Sequence, residues 1–354
     1  MATITEKAQS FVKVDRRDGK LAMAHIHVAF IALLIGGLCG LLQTLVRSGQ
    51  FTLPWGIGYY QLLTVHGVLL GLILTTYFIF GFQIAAVSRT SGTLTDKQRT
   101  LGWIGFWTMT TGTTAAAVMV LLNEASVLYT FYAPLQAHWI FYVGMALVVV
   151  GSWIGGAGLI MKYMEWRKAN PKQPSPLLTF MVIVNLTMWI ICSLGVAVEV
   201  VFQLIPWSLG WVDKIDVLLS RTLFWYFGHP LVYFWLLPAY MVWYVIIPKI
   251  IGGKIYSDAL ARLSFMLFLI FSIPVGFHHQ LTEPGIDSFW KYLQVVLTMM
   301  VVIPSLLTAF SMFASFEIRG RQLGGKGVFG WFKKLPWKDA RFLVPFIGMA
   351  AFIP

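Results

Sequence analysis

The sequence predicts an all-α, polytopic transmembrane helix bundle of about eight complete spans plus the start of a ninth, with a cytoplasmic N-terminus. Three observations carry this. Hydrophobic residues make up 58% of the chain and charged residues 11%, against roughly 25% charged in an average globular protein. Apolar runs of ~20 residues or more, the length that crosses a bilayer core, recur along the whole chain. Basic residues also fall in alternate loops. When the loops are assigned in turn to the two membrane faces, all of the 26 lysines and arginines except Arg47, Lys214, Arg221 and Lys291 lie on one face.

The runs follow one another as Ala22–Val46, Gly58–Val87, Leu101–Leu122, Ala137–Tyr163, Leu178–Ile205, Leu219–Ile247, Leu260–Leu281 and Tyr292–Phe316. A ninth begins near Phe342 and reaches the last residue, Pro354. In lipid, backbone groups find partners only within a helix or a closed barrel, and the period-2 alternation of barrel strands is missing, so each run reads as a helix. The basic face holds Lys7, Lys13, Arg16, Arg17 and Lys20, then Arg89, Lys97 and Arg99, then Lys162, Arg167, Lys168 and Lys172. It continues with Lys249, Lys254 and Arg262 and ends in the run from Arg319 to Arg341. The positive-inside rule puts that face in the cytoplasm. It also accounts for the net charge of +12 without a nucleic-acid partner, leaving membrane lipid as the surrounding medium. Residues 1–354 read as one membrane domain, with Arg319–Lys338 as a Gly- and Lys-rich cytoplasmic loop. The first 20 residues are polar and the first apolar run is long enough to span, so no cleavable leader is expected. Cys39 and Cys192 lie within apolar spans without metal-type spacing and read as small core residues.

Ionisable groups inside a membrane are costly and point to function by default. Of the seven histidines, His25 and His27 sit near the cytoplasmic end of the first span and His138 opens the fourth, positions where an interfacial imidazole is cheap. His66, His229 and the adjacent His278 and His279 are different. At ~1.5 Å rise per residue, each lies about 6–13 Å from the outer end of its span. Three distant stretches therefore deliver four imidazoles to one depth. Neutral imidazole suits copper and iron, so a buried metal site is expected.

Tyr233 follows His229 by four residues and shares its helix face. Pro230 removes a backbone donor between them and favours a kink. Tyr240 and Tyr244 continue the same stripe, and Ser305 and Thr308 form an i,i+3 pair on the eighth span. Such hydroxyls either pack helices or hold waters that relay protons toward Tyr233. The residues alone leave both readings open, with packing the more frequent one.

Three segments, in order, resemble subunit I of the haem-copper oxidases, and within it the B family. Thr64-Val65-His66-Gly67 resembles the second-helix motif whose histidine is an axial ligand of the low-spin haem. Trp225-Tyr226-Phe227-Gly228-His229-Pro230-Leu231-Val232-Tyr233 resembles the sixth-helix motif, in which the histidine binds copper B and the tyrosine is covalently joined to it. Val275-Gly276-Phe277-His278-His279 resembles the seventh-helix pair, the other two copper B ligands. Leu231 stands where the A family carries a glutamate, which is why the B family is favoured. There the resemblance assigns Tyr240, Tyr244, Ser305 and Thr308 to a single hydroxyl-lined proton path, and Glu283 to the haem propionate region. Glu199, an acid in the fifth span, has no role assigned by these motifs; the proton exit region is one placement for it.

The resemblance implies a terminal oxidase of the prokaryotic plasma membrane that reduces O2 to water at a high-spin haem facing copper B, with proton translocation. Electrons would come from cytochrome c or a similar donor, through a di-copper centre on subunit II and the low-spin haem. In the family, the remaining haem-ligating histidines lie on a tenth helix, so the sequence reads as the N-terminal two-thirds of such a subunit. A quinol oxidase differs mainly in subunit II. A nitric oxide reductase shares the histidine frame but lacks the tyrosine at the place of Tyr233. From a different class, a non-redox transporter or an inactive fragment with packing histidines is the alternative.

Overall fold

A computed structural model describes residues 14–53 and 56–352; Lys7 and Lys13 of the basic N-terminus lie outside the described residues. Eight helices among them are long and apolar enough to cross a membrane. They are α1 (Arg16–Arg47), α2 (Tyr59–Ser91), α3 (Asp96–Leu121), α4 (Trp139–Ala169), α5 (Leu177–Ser208), α6 (Val217–Ile250), α7 (Asp258–Gln280) and α8 (Ser288–Gln322). A shorter helix, α9 (Ala340–Phe352), follows. Each corresponds to an apolar run of the sequence, and no strand occurs among the described residues.

The helices overrun the apolar stretches because polar residues cap them. Asp15 accepts from the Arg17 and Asp18 N–H groups and starts α1; the Arg17 N–H bond holds its carboxyl below the usual carboxylate range. Thr95 and Gln98 form a reciprocal capping box at α3, and His138, Ser257 and Asp287 cap α4, α7 and the start of α8.

What apolar patterning does not announce is where the helices depart from α geometry. Leu69–Leu74 in α2 and Val200–Leu204 in α5 are π-helical. The end of α7, Ile273–Gln280, is a 3₁₀ helix. Helix α6 contains Pro230 and Pro238 and breaks at Ile246 before Pro248, and α8 breaks at Val301 before Pro304. Departures of this kind concentrate at functional sites. Here they lie beside His66, Glu199, His229 and the His278–His279 pair.

The chain groups into two compact units, Met1–Pro174 with Ser193–Phe227 and Ser175–Cys192 with Gly228–Pro354. In the first unit, α3 and α4 meet backbone to backbone. A Cβ on Gly105 would stand 2.5 Å from the Gly151 carbonyl oxygen, and one on Gly144 would stand 2.6 Å from that of Gly112. Small residues permit this approach where lipid supplies no hydrophobic drive.

The cytoplasmic ends of α1, α2 and α3 share one buried ion pair. Asp18 is fully buried and accepts from Arg99 Nε at 2.8 Å, Ser88 Oγ at 2.6 Å and the Leu94 N–H at 2.9 Å. Arg99 also donates to the Leu94 carbonyl at 2.6 Å and to Asp96 at 2.7 Å. Removing one partner strands the other, which costs about 3–5 kcal/mol for a buried pair. Asp18→Ala is therefore expected to lower the midpoint of thermal unfolding in detergent, whereas Asp96→Ala, which removes an exposed carboxylate, should change it little.

The second unit is built on aromatic packing. Tyr240, Phe265 and Phe268 are fully buried, Trp189 and Phe234 lie 4.5 Å apart between ring centroids, and Phe342 of α9 meets Phe316 of α8 at 5.6 Å. Arg262 holds the Ser175 carbonyl at 2.6 Å and lies over the Phe180 ring.

Candidate metal centre

The second unit brings His229, His278 and His279 together. A ligand nitrogen from each lies within 4.8 Å of the other two. His229 hangs from α6 just before Pro230, and its ring sits 4.2 Å from that of His278 and 5.5 Å from that of His279. Its Nδ1 stands 3.3 Å from His279 Nε2. Two nitrogens bound to one tetrahedral metal at ~2.0–2.1 Å stand about 3.3–3.4 Å apart, so this pair already has the spacing of two ligands on one ion. His278 and His279 are consecutive residues of the 3₁₀ turn at the end of α7, and their ring centroids lie 4.5 Å apart.

His278 is oriented by α8. The Thr298 hydroxyl donates to the Gln294 carbonyl at 2.6 Å, so its oxygen accepts from His278 Nδ1–H at 2.8 Å. Gln294 in turn donates to the Pro274 carbonyl at 2.9 Å, tying α8 to the 3₁₀ turn. The tautomer is thereby fixed, and Nε2 keeps its lone pair for a metal. Losing an outer partner of this kind typically costs 10–100-fold in metal affinity. We expect Thr298→Val to lower metal retention during dialysis by about that factor, and Thr298→Ser to restore it.

Tyr233 lies one turn beyond His229, with ring centroids 5.0 Å apart at 62°, and its ring centroid is 5.7 Å from that of Phe268. Deeper on α6, Tyr240 and Tyr244 are buried. Ser305 lies beside the Tyr240 hydroxyl, and Thr308, Ser264 and Ser311 lie around that of Tyr244. Thr308 and Ser264 donate to the Pro304 and Leu260 carbonyls, which leaves their oxygens free to accept. Ser264, Ser311 and Thr298 are absent from the sequence-based set. Only their i,i+3 or i,i+4 hydroxyl spacing could have suggested them, and packing produces that spacing equally well. Glu283 lies in the loop after α7, where its carbonyl accepts from Lys291 Nζ at 2.7 Å.

His66 belongs to the first unit. Its Nδ1 bonds the Gly36 carbonyl of α1 at 2.9 Å; a carbonyl only accepts, so Nδ1 carries the hydrogen and Nε2 keeps its lone pair. The ring is seated against Gly40, where a Cβ would stand 2.5 Å from Nδ1 and 2.6 Å from Cε1. Gly40→Val is therefore expected to displace the imidazole. His25 and His27 each bond the carbonyl four residues back, and His138 caps α4. His25 departs from the interfacial expectation. It is buried among Tyr77, Phe80 and Phe106, because the cytoplasmic end of α1 is covered by α2 and α3.

A family model described as cytochrome c and quinol oxidase polypeptide I matches residues 20–354. The chain belongs to this family. It is 44% identical over 344 residues to cytochrome c oxidase subunit 1 of Thermus thermophilus, covering 95% of this chain and 61% of that relative. It is 23% identical to a probable quinol oxidase subunit 1 of Staphylococcus haemolyticus, covering 97% and 51%. Among solved structures, a cryo-EM structure of a heme-copper terminal oxidase dimer superposes with a TM-score of 0.88 at 41% identity, covering 96% of this chain and 62% of the other. The chain thus spans about three-fifths of the length of these two closer relatives. Its eight apolar helices and its bacterial relatives make it a multi-pass plasma-membrane protein.

Proposed function

We propose that this oxidase-family chain is part of the catalytic subunit of a B-type terminal oxidase that reduces O2 to water and translocates protons. The observation that carries the reading is the convergence of His229, His278 and His279 with Tyr233 one helical turn away. The donor set fits copper: three neutral imidazole nitrogens, two of them at the spacing of a bound pair, with no carboxylate or thiolate among them. His66, with Nδ1 anchored and Nε2 presented, fits an axial ligand of the low-spin haem. Copper and haem iron, when bound, supply electrons to O2.

The chain's own residues have separable tasks. The three histidines hold copper B, and Thr298 keeps one of them in register. Tyr233 holds a proton on its hydroxyl beside the ligand set and gives it up there. Ser264, Ser311, Thr308, Tyr244, Ser305 and Tyr240 pass protons toward Tyr233 from the cytoplasmic side, and Glu283 would serve the haem propionate region. Each proton drawn inward across the membrane field is worth ~2.3 kcal/mol per 100 mV. The partners in this reading are subunit II with its di-copper centre, cytochrome c or a similar donor, and a high-spin haem opposite copper B.

Steady-state O2 consumption by the assembled complex, driven in turn by reduced cytochrome c and by a quinol, tests the reading. Uptake with cytochrome c is expected. Uptake with quinol alone would reassign the donor, and none with either would refute the oxidase reading.

A further inference from the structure

Glu199 takes no part in the site above, yet the first unit builds surroundings for it. It lies on α5 and is fully buried. Ser220 of α6 donates to its Oε1 at 2.6 Å, whereas Oε2 is buried without a hydrogen-bond partner among the described residues. The Ser220 oxygen itself accepts from the Ala133 N–H at 3.3 Å. The direction of this short chain is therefore fixed: backbone N–H to hydroxyl, hydroxyl to carboxyl. A carboxylate only accepts, and a carboxylic acid has one O–H to give. With Oε1 committed to Ser220, the proton that distinguishes the two forms resides on Oε2.

The local backbone agrees with a site rather than a packing contact. Helix α5 changes to π geometry immediately after Glu199, over Val200–Leu204. Val196, Ala197 and Val200, which flank Glu199 in sequence, line a cavity of about 10 Å³ with Phe131, Met145 and Phe227. From α4 the titratable side chain facing the carboxyl is Tyr142, whose hydroxyl accepts from the Ala137 N–H at 3.0 Å. From α6 it is met by Ser220, and among the described residues no lysine, arginine or histidine pairs with it. Burying an ionised group without a counter-charge costs several kcal/mol. A hydrogen bond to Ser220 alone would need only one acceptor oxygen, so packing does not explain the second.

Resting on the oxidase reading, we infer that Glu199, with Ser220 as its fixed donor, is a proton-binding site of the first unit that takes up and returns one proton at Oε2 during turnover. Uptake adds a proton from water to the carboxylate and release returns it; no bond between heavy atoms changes and no electron moves. Ser220 is a positioning residue.

Redox-difference infrared spectroscopy on the assembled, full-length complex tests this. Wild type is expected to show a carboxylic-acid carbonyl band that shifts on exchange into heavy water. The band should be lost in Glu199→Gln and displaced in Ser220→Ala, with O2 consumption retained in both. A static acid that only packs would give no difference band. Identical difference spectra in wild type and Glu199→Gln would overturn the inference while leaving the oxidase reading intact. If Glu199→Gln does not assemble, an unmoved band in Ser220→Ala overturns it equally. A wild-type complex that consumes no O2 would overturn both.

Discussion

Replacing Tyr233 by phenylalanine is expected to abolish turnover while leaving the complex assembled and metal-loaded. The ring packs on Phe268 and beside His229, and phenylalanine preserves both contacts, so folding is spared. Only the hydroxyl is lost, and with it the proton that the proposed function assigns to Tyr233. A positioned proton donor contributes typically 10²–10⁴-fold to a rate, so O2 consumption should fall by at least about that factor. The visible spectrum of the low-spin haem and the copper content should match wild type. Normal turnover in Tyr233→Phe would remove this residue from the chemistry and leave the histidine cluster to be explained alone.

His229→Ala is expected to be as damaging, by a different route. His229 supplies the one ligand nitrogen that does not come from the α7 turn, and it is nearly buried. Two adjacent histidines on one turn cannot close a three-coordinate site, so copper should be lost outright, beyond the ~10–100-fold cost of an outer-partner substitution. Alanine is the best helix former and Pro230 remains in place, so α6 should persist. His66 is seated by Gly36 and Gly40 of α1, and its haem band should survive in this variant. Copper measured by elemental analysis, alongside the visible spectrum, separates the two outcomes.

Much of this was legible in the sequence because membrane physics is so restrictive. Runs of ~20 apolar residues have no stable fold in lipid but helix, and a histidine in such a run stands out. The four imidazoles and the His229–Tyr233 pair could thus be found from spacing alone. The supporting residues could not. Thr298 and Ser264 are indistinguishable in sequence from hydroxyls that bond their own helix, which both of them also do. Gly40 matters only because His66 lies over it, a contact between residues 26 positions apart. The 3₁₀ turn that carries His278 and His279, and the π turn after Glu199, leave no mark in apolar periodicity; Pro274 is the one local hint of the first. His25 misled for a related reason, since depth along a helix does not reveal which face its neighbours cover.

The trihistidine copper site is the central claim, and metal analysis tests it most directly. The complex purified from membranes with its native partners should contain copper bound to this chain, and that copper should be lost in His229→Ala, His278→Ala and His279→Ala alike while the His66 haem band remains. A chain that carries no copper in wild type, or that keeps it undiminished in all three variants, would contradict the account and return the cluster to the status of packing histidines.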